Sequence, residues 1–148
     1  VDIPFNVFQE EDDVEVPPRW FLGGLSLVDA VPFSYLHVFS YSDRRGTEAP
    51  RLPGRVDART IAARSRFLRE WSREKNLAFR SRLLGSLQET LVLDTRDRRT
   101  GGLTGLTGNY VEVIFQGPAS LARGLARVRL TAVDGERTHG ELGLRPVA

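Results

Sequence analysis

The sequence predicts an α+β fold in which one long basic helix is followed by a small β-barrel. Apolar residues recur at helical spacing between 58 and 84, and residues 87–148 alternate β-forming segments with glycine-bearing turns. Ahead of the helix, the aromatic and β-branched residues of 33–41 predict a single buried strand. These patterns divide the chain into three predicted parts, 1–54, 55–86 and 87–148.

Composition limits the class of protein. The 148 residues are 41% hydrophobic, which is enough for a real core. No uncharged apolar run approaches the roughly 18 residues of a membrane span, and no signal peptide is recognisable, so we expect a cytoplasmic protein without membrane contact. The chain has no cysteine, which excludes a disulfide framework and removes the strongest metal ligands.

Charge is divided unevenly along the chain. Residues 1–31 carry seven acidic side chains and one arginine, whereas residues 55–86 carry nine basic and three acidic side chains. A basic block of this kind attracts polyanions through the release of counterions. The alternative at this point is an ordinary solvated helix face.

Two helices are predicted. The apolar stretch WFLGGLSLVDAV at 20–31 predicts a short helix that starts after Pro17 and Pro18. A second helix runs from Ala58 to about residue 84, with Asp57 as its N-cap. Its apolar stripe consists of Ile61, Leu68, Trp71, Ala78 and Phe79.

The last part predicts a five-stranded barrel related to the oligonucleotide-binding type, in which a strand face and neighbouring loops take nucleic acid. The segments QETLVLDT, LTGNYVEVIF, ARVRLTAV and THGELGL contain the strands, and Asp134 with Gly135 is a hairpin signal. Arginines neutralise phosphates and exposed aromatic rings stack on bases. The candidate RNA-binding residues are Arg98, Arg99, Asn109, Tyr110, Arg123, Arg127 and Arg129. The alternative for each is an ordinary surface arginine or a half-buried barrel tyrosine.

A family resemblance lies in residues 32–49, PFSYLHVFSYSDRRGTEA. This segment resembles the last barrel strand and following loop of radical S-adenosylmethionine methylthiotransferases, whose form is close to PFxYLHVFPYSxRxGTxA. Ser40 stands where that pattern has proline, and residues 35–38 are nearest to the branch that modifies threonylcarbamoyladenosine in tRNA. Residues 105–113, GLTGNYVEV, resemble the GLTDNYxxV of the TRAM domain that ends such enzymes, with Gly108 in place of aspartate.

The resemblance implies that residues 33–41 are the last strand of a partial α/β barrel and that Phe39, Ser40 and Tyr41 contact S-adenosylmethionine. It also implies four-iron four-sulfur clusters, which are held on three cysteines in CxxxCxxC. Because this chain has no cysteine, we expect no catalytic residue, no cofactor and no metal site within it. An alternative role for Tyr41 is simply to begin the exit loop.

The function that the resemblance implies is binding of the tRNA anticodon stem-loop. The chain would be the carboxyl-terminal part of a tRNA methylthiotransferase, and the missing amino-terminal domains would carry out the reaction. Two alternatives stay open. One is a free-standing or decayed RNA-binding module without enzymatic activity, and the other is a fragment of a methylthiotransferase that acts on a ribosomal protein.

Overall fold

The computed structural model describes residues 19–31 and 33–143. The acidic stretch 1–18, Pro32 of the predicted strand motif, and residues 144–148 lie outside this description. The chain divides into two compact units, residues 1–72 and residues 73–148. The predicted three-part division at 54 and 86 stays a prediction.

The first unit contains helix α1, Arg19–Ala30, and the start of the long helix α2, Ala58–Arg82. Both helices were predicted from the sequence, and both are confirmed. Asp57 caps α2, because its carboxylate accepts hydrogen bonds from the Thr60 amide (2.9 Å) and the Thr60 hydroxyl (2.6 Å). These bonds hold the pKa of Asp57 below its ordinary value. Neither described helix has the length and apolar character that a bilayer crossing requires.

The strand predicted at 33–41 is not formed by the described residues. The segment is extended, but it pairs with no other strand. It lies along α2 instead: Ser72 Oγ accepts a hydrogen bond from Leu36 N (2.8 Å), and the Ser40 and Ser65 hydroxyls bond at 3.0 Å. A strand needs a neighbouring ladder for its backbone groups, and residue pattern alone does not supply one. The prediction of a barrel strand was therefore wrong for this structure.

The face of α2 differs in part from the predicted apolar stripe. Ile61, Leu68, Trp71 and Phe79 are half-buried, as expected for such a stripe, but Ala78 is exposed. The buried positions of the helix are polar: Ser65, Ser72 and Arg80. Ser65 and Ser72 are seven residues apart and so share one helix face, which is why both reach the extended segment.

The second unit is a closed five-stranded barrel with the strand order β1-β2-β3-β5-β4. All neighbours are antiparallel except β3 and β5, which are parallel. The predicted fold class, a long helix followed by a small barrel of the oligonucleotide-binding kind, is confirmed. Its strands are β1, Leu87–Arg96; β2, Leu103–Thr107; β3, Glu112–Phe115; β4, Leu125–Asp134; and β5, Arg137–Leu142.

The predicted strand LTGNYVEVIF at 106–115 is two strands joined by a hairpin. Thr107 N donates to Val111 O (3.0 Å), and Tyr110 N donates to Thr107 O (2.9 Å), which closes a tight turn over Gly108 and Asn109. Tyr110 has φ of 62°, a left-handed conformation that a strand does not contain. Asn109 and Tyr110 therefore lie in a loop tip and not at the start of a strand. By contrast, the hairpin predicted at Asp134 and Gly135 is confirmed, since Asp134 pairs with Arg137.

Close packing inside the barrel fixes its shape. Two glycines sit where strands approach closely: a Cβ on Gly105 would come 2.5 Å from Thr90 Cγ2, and one on Gly140 would come 2.5 Å from Val128 Cγ1. A rigid barrel of this kind can hold the side chains of its loops in place. The core consists of Val92, Leu103, Val113, Phe115, Ala126, Val128 and Leu130, with Leu83, Leu121 and Leu142 packed against it.

Candidate nucleic-acid interface

The Tyr110 ring is the most exposed aromatic group of the barrel unit, with 78% of its surface accessible. Its left-handed backbone costs a non-glycine residue roughly 1–2 kcal/mol. The hairpin closed by Thr107 and Val111 maintains that conformation. Backbone strain of this sort persists where the surroundings enforce it and is concentrated at functional positions. An accessible phenol ring carried on a closed hairpin is a platform on which a nucleobase can stack.

Arg127 and Arg129 lie on the outer face of β4, where the side chains alternate between exposed and buried from Leu125 to Leu130. Arg129 donates from Nη1 to the Gly85 carbonyl (2.6 Å), which fixes its direction without neutralising its charge. Arg127 forms no ion pair with another residue in the described part of the chain. The two arginines therefore share one strand face.

Strand register places Tyr110 and the β4 arginines in the same half of the barrel. Thr107, the last residue of β2, pairs with Thr90 on the antiparallel strand β1. The β2–β3 hairpin that follows Thr107 therefore extends alongside β1 in the direction of Glu89 and Leu87. Those two residues are paired with Arg127 and Arg129, respectively. β4 is two strands from β2, which corresponds to about 10 Å across the sheet. A short stretch of single-stranded RNA can span this distance.

Arg98 and Arg99 are in a different place. They are exposed in the β1–β2 loop, at the end where β2 begins, whereas Tyr110 follows the end of β2. The five residues of β2 separate the two loops by about 17 Å. The candidate residues therefore fall into two groups at opposite ends of β2.

The β1–β2 loop is held firmly at its base. Asp97 accepts hydrogen bonds from the amide and the hydroxyl of Thr100, both at 2.7 Å, and forms an ion pair with Arg137 at 2.7 Å. The hydrogen bonds from Thr100, together with the Arg137 charge, lower the pKa of Asp97 to about 2. The loop is therefore anchored at neutral pH, and it presents Arg98 and Arg99 to solvent.

Arg123 is the second non-glycine residue with a left-handed backbone, at φ of 65°. Its amide donates to Val92 O (2.9 Å), which continues the β1–β4 pairing. Its guanidinium pairs with Asp94, with Nε 3.0 Å from Oδ2. Because both groups are exposed, the pair is weak and can exchange for a phosphate.

Arg80 shows why the count of positive charges overstates the cationic surface. Its side chain is buried within the second unit and donates to Asn76 Oδ1 (2.7 Å), Thr138 Oγ1 (3.3 Å) and Gly135 O (2.6 Å). Burial lowers its pKa. It fastens the last turns of α2 to the β4–β5 hairpin and is not available to a polyanion. The sequence offered no signal for this role, because burial of one arginine depends on tertiary contacts.

Two of the three residues predicted to contact S-adenosylmethionine line one cleft, and the third does not. Phe39, which is 86% exposed, and Tyr41 both line an open cleft of about 770 Å³ within the first unit. Ser40 does not line the cleft, because its hydroxyl bonds to Ser65 on α2. Contact of these residues with S-adenosylmethionine stays a prediction. The remaining lining is mostly apolar and includes Ala49, Leu52, Pro53, Val56, Ile61 and Leu68.

The residues of this chain do not fit an iron–sulfur cluster. Such clusters are held mainly by cysteine thiolates, and the sequence has none. Among the described residues, no group of three or more histidine, aspartate or glutamate side chains could hold a metal ion.

Comparison with known proteins identifies relatives over most of the chain. A tRNA-2-methylthio-N(6)-dimethylallyladenosine synthase of Moorella thermoacetica is 36% identical over 118 residues, which is 80% of this chain and 27% of that protein. A synthase of the same name from Thermoanaerobacter sp. is 34% identical over 82% of this chain and 26% of its own length. The relatives of this chain are tRNA methylthiotransferases.

A third relative is the probable threonylcarbamoyladenosine tRNA methylthiotransferase of Methanothermobacter thermautotrophicus, 34% identical over 65% of this chain and 22% of that protein. The chain spans about a quarter of the length of the relatives it matches. No family model matches it. The resemblance to tRNA methylthiotransferases is thus confirmed. The threonylcarbamoyladenosine branch stays a prediction, because the relatives include enzymes named for dimethylallyladenosine as well as one named for threonylcarbamoyladenosine. The TRAM domain also stays a prediction.

Proposed function

We propose that this chain is the tRNA-binding portion of a tRNA methylthiotransferase. The observation that carries the proposal is the placement of an exposed tyrosine ring and two outward arginines in the same half of a closed five-stranded barrel. Stacking and phosphate neutralisation are the two interactions that single-stranded RNA needs. Relatives whose names specify tRNA support RNA over a ribosomal protein as the partner.

The part of tRNA that suits this surface is the anticodon stem-loop. Duplex RNA hides its base faces, whereas loop nucleotides can be splayed out and stacked on an aromatic ring. The remaining positive charge adds long-range attraction: apart from the buried Arg80, residues 73–143 contain ten basic and eight acidic side chains. We further propose that binding here positions the loop adenosine that such enzymes modify.

The reaction itself requires groups that this sequence lacks. With no cysteine to hold a cluster, the chain alone is not expected to transfer a methylthio group. We propose that catalysis depends on sequence outside these 148 residues. S-adenosylmethionine contact by Phe39 and Tyr41 is part of the proposal, supported by a cleft whose size lies in the range for small organic ligands.

A free-standing RNA-binding module is the second candidate, and the absence of cysteine favours it as much as it favours a part of a larger enzyme. The genomic DNA immediately upstream separates the two. An in-frame CxxxCxxC motif supports the enzyme, and a stop codon supports the module.

Binding of the full chain to unmodified tRNA at increasing NaCl concentration tests the RNA-binding function. If Arg98, Arg99, Arg127 and Arg129 each neutralise one phosphate, affinity should fall by about 50- to 150-fold between about 50 and 200 mM salt. Fluorescence anisotropy with labelled tRNA measures this directly. No binding at low salt, or an affinity that salt does not change, would contradict the proposal.

A further inference from the structure

The β2–β3 hairpin carries a side-chain arrangement that a simple stacking platform does not require. Thr107 is buried, and its hydroxyl donates to Asn109 Oδ1 at 2.5 Å while it accepts from Val111 N at 2.9 Å. Val111 O, at 3.2 Å, is a second and weaker acceptor. The Thr107 hydroxyl therefore connects the backbone of Val111, which follows the turn, to the side chain of Asn109, which precedes Tyr110.

The Thr107 contact determines which end of the Asn109 amide faces outward. Because Oδ1 is taken by the Thr107 hydroxyl, the free end is the Nδ2 group, which offers two N–H donors. Asn109 is exposed, and its Nδ2 makes no hydrogen bond to another residue in the described ranges. The residue that precedes the exposed Tyr110 thus carries a donor group without a partner among the described residues.

Space is open at Gly108, the first residue of the turn. A Cβ on Gly108 would touch nothing within 4 Å, so no side chain fills the volume beside the turn. A planar ring could enter there, stack on Tyr110 and direct its edge towards Asn109. Donor and ring belong to adjacent residues, so the arrangement accommodates one base.

We propose that this hairpin reads one unpaired nucleobase, with Tyr110 stacking on its face, Asn109 Nδ2 donating to an acceptor on its edge, and Thr107 acting as the positioning residue. The inference rests on the proposed RNA-binding function and adds a ligand class to it: a base whose exposed edge presents a ring nitrogen or carbonyl oxygen. The β4 arginines supply affinity without base preference.

The test uses the full chain and unmodified anticodon stem-loop RNAs in which one loop nucleotide at a time is made abasic. Removal of the recognised base should weaken wild-type binding by about 5- to 100-fold at one position, the range for one stacked base. Tyr110→Ala, Asn109→Ala and Thr107→Val should each bind more weakly than wild type. All three should respond much less to the same abasic substitution, because the base contact is already lost or misdirected.

Thr107→Ser keeps the hydroxyl and should restore binding to within about twofold of wild type. The matched control is Thr104→Val: Thr104 is a buried threonine of the same strand, and its hydroxyl bonds to Thr95 (2.5 Å) at the opposite end. Thr104→Val should lose as much affinity as wild type does when the recognised base is removed from the RNA. If Thr107→Val fails to fold, Asn109→Ala carries the test, because Asn109 is exposed.

Two failures are distinguishable. If wild type binds none of these RNAs, the proposed function is overturned together with this inference. If wild type binds the intact RNA and every abasic RNA with equal affinity, only the proposed recognition of one base is overturned. The same conclusion follows if the variants lose as much affinity as wild type when the base is removed. Equal loss in Thr107→Val and Thr107→Ser would likewise overturn the positioning role of the hydroxyl.

Discussion

Replacing Arg127 and Arg129 together by glutamine should weaken tRNA binding by about 100-fold. Each charge-assisted contact to a phosphate is worth about 1.5 kcal/mol or more, and the two contacts are on one exposed strand face. The plot of log affinity against log salt concentration should lose about 1.5–2 units of slope, because two fewer counterions are released. Anisotropy titrations at four or five salt concentrations give both numbers.

The control for the double substitution is Arg44→Gln with Arg45→Gln, which removes the same charge from an exposed turn in the first unit. That variant should bind tRNA within a few-fold of wild type, since the turn is not part of the proposed contact surface. Equal losses in both variants would show that net charge alone attracts tRNA and that β4 is not the contact surface.

Replacing Tyr110 by alanine should weaken tRNA binding by about 5- to 100-fold, whereas Tyr41→Ala should change it less than twofold. Both phenol rings are exposed, but only Tyr110 belongs to the barrel, where strand register places it in the same half as the β4 arginines. Titration of wild type and the two variants under one buffer condition measures the difference. Equal losses would contradict the assignment of the RNA surface to the β2–β3 hairpin.

A second substitution separates function from stability at this position. Tyr110→Gly removes the ring and also the side chain that makes φ of 62° costly. Its free energy of unfolding should be unchanged or higher by up to about 1 kcal/mol, while its tRNA affinity falls as in Tyr110→Ala. A loss of stability parallel to the loss of binding would show that the ring serves the fold and not the RNA.

Local patterns were sufficient to predict most elements. Helix α2 follows from the spacing of its apolar residues, and its cap follows from the aspartate at position 57. The hairpin after Asp134 follows from the turn-forming pair Asp134 and Gly135. The strand at 33–41 failed because pairing requires a partner that local sequence does not contain. The hairpin inside 106–115 was missed even though Gly108 and Asn109 are turn residues, since β-forming residues flank them on both sides.

The candidate site was predicted residue by residue but not in its arrangement. Exposure of Tyr110 and the common face of Arg127 and Arg129 agree with expectation. The separation of Arg98 and Arg99 from Tyr110 depends on the direction of β2 within the barrel, which composition does not specify. Thr107 was overlooked because a buried hydroxyl reveals its role only through its partners, although the run Thr-Gly-Asn is a usable signal.

Photo-cross-linking of the full chain to an anticodon stem-loop RNA, with the modified peptides mapped by mass spectrometry, tests the central claim most directly. The account predicts cross-links at Tyr110 and in the β4 peptide that contains Arg127 and Arg129, and their loss at high salt. Cross-links confined to the first unit, or an unmodified Tyr110 in a complex that has formed, would contradict it.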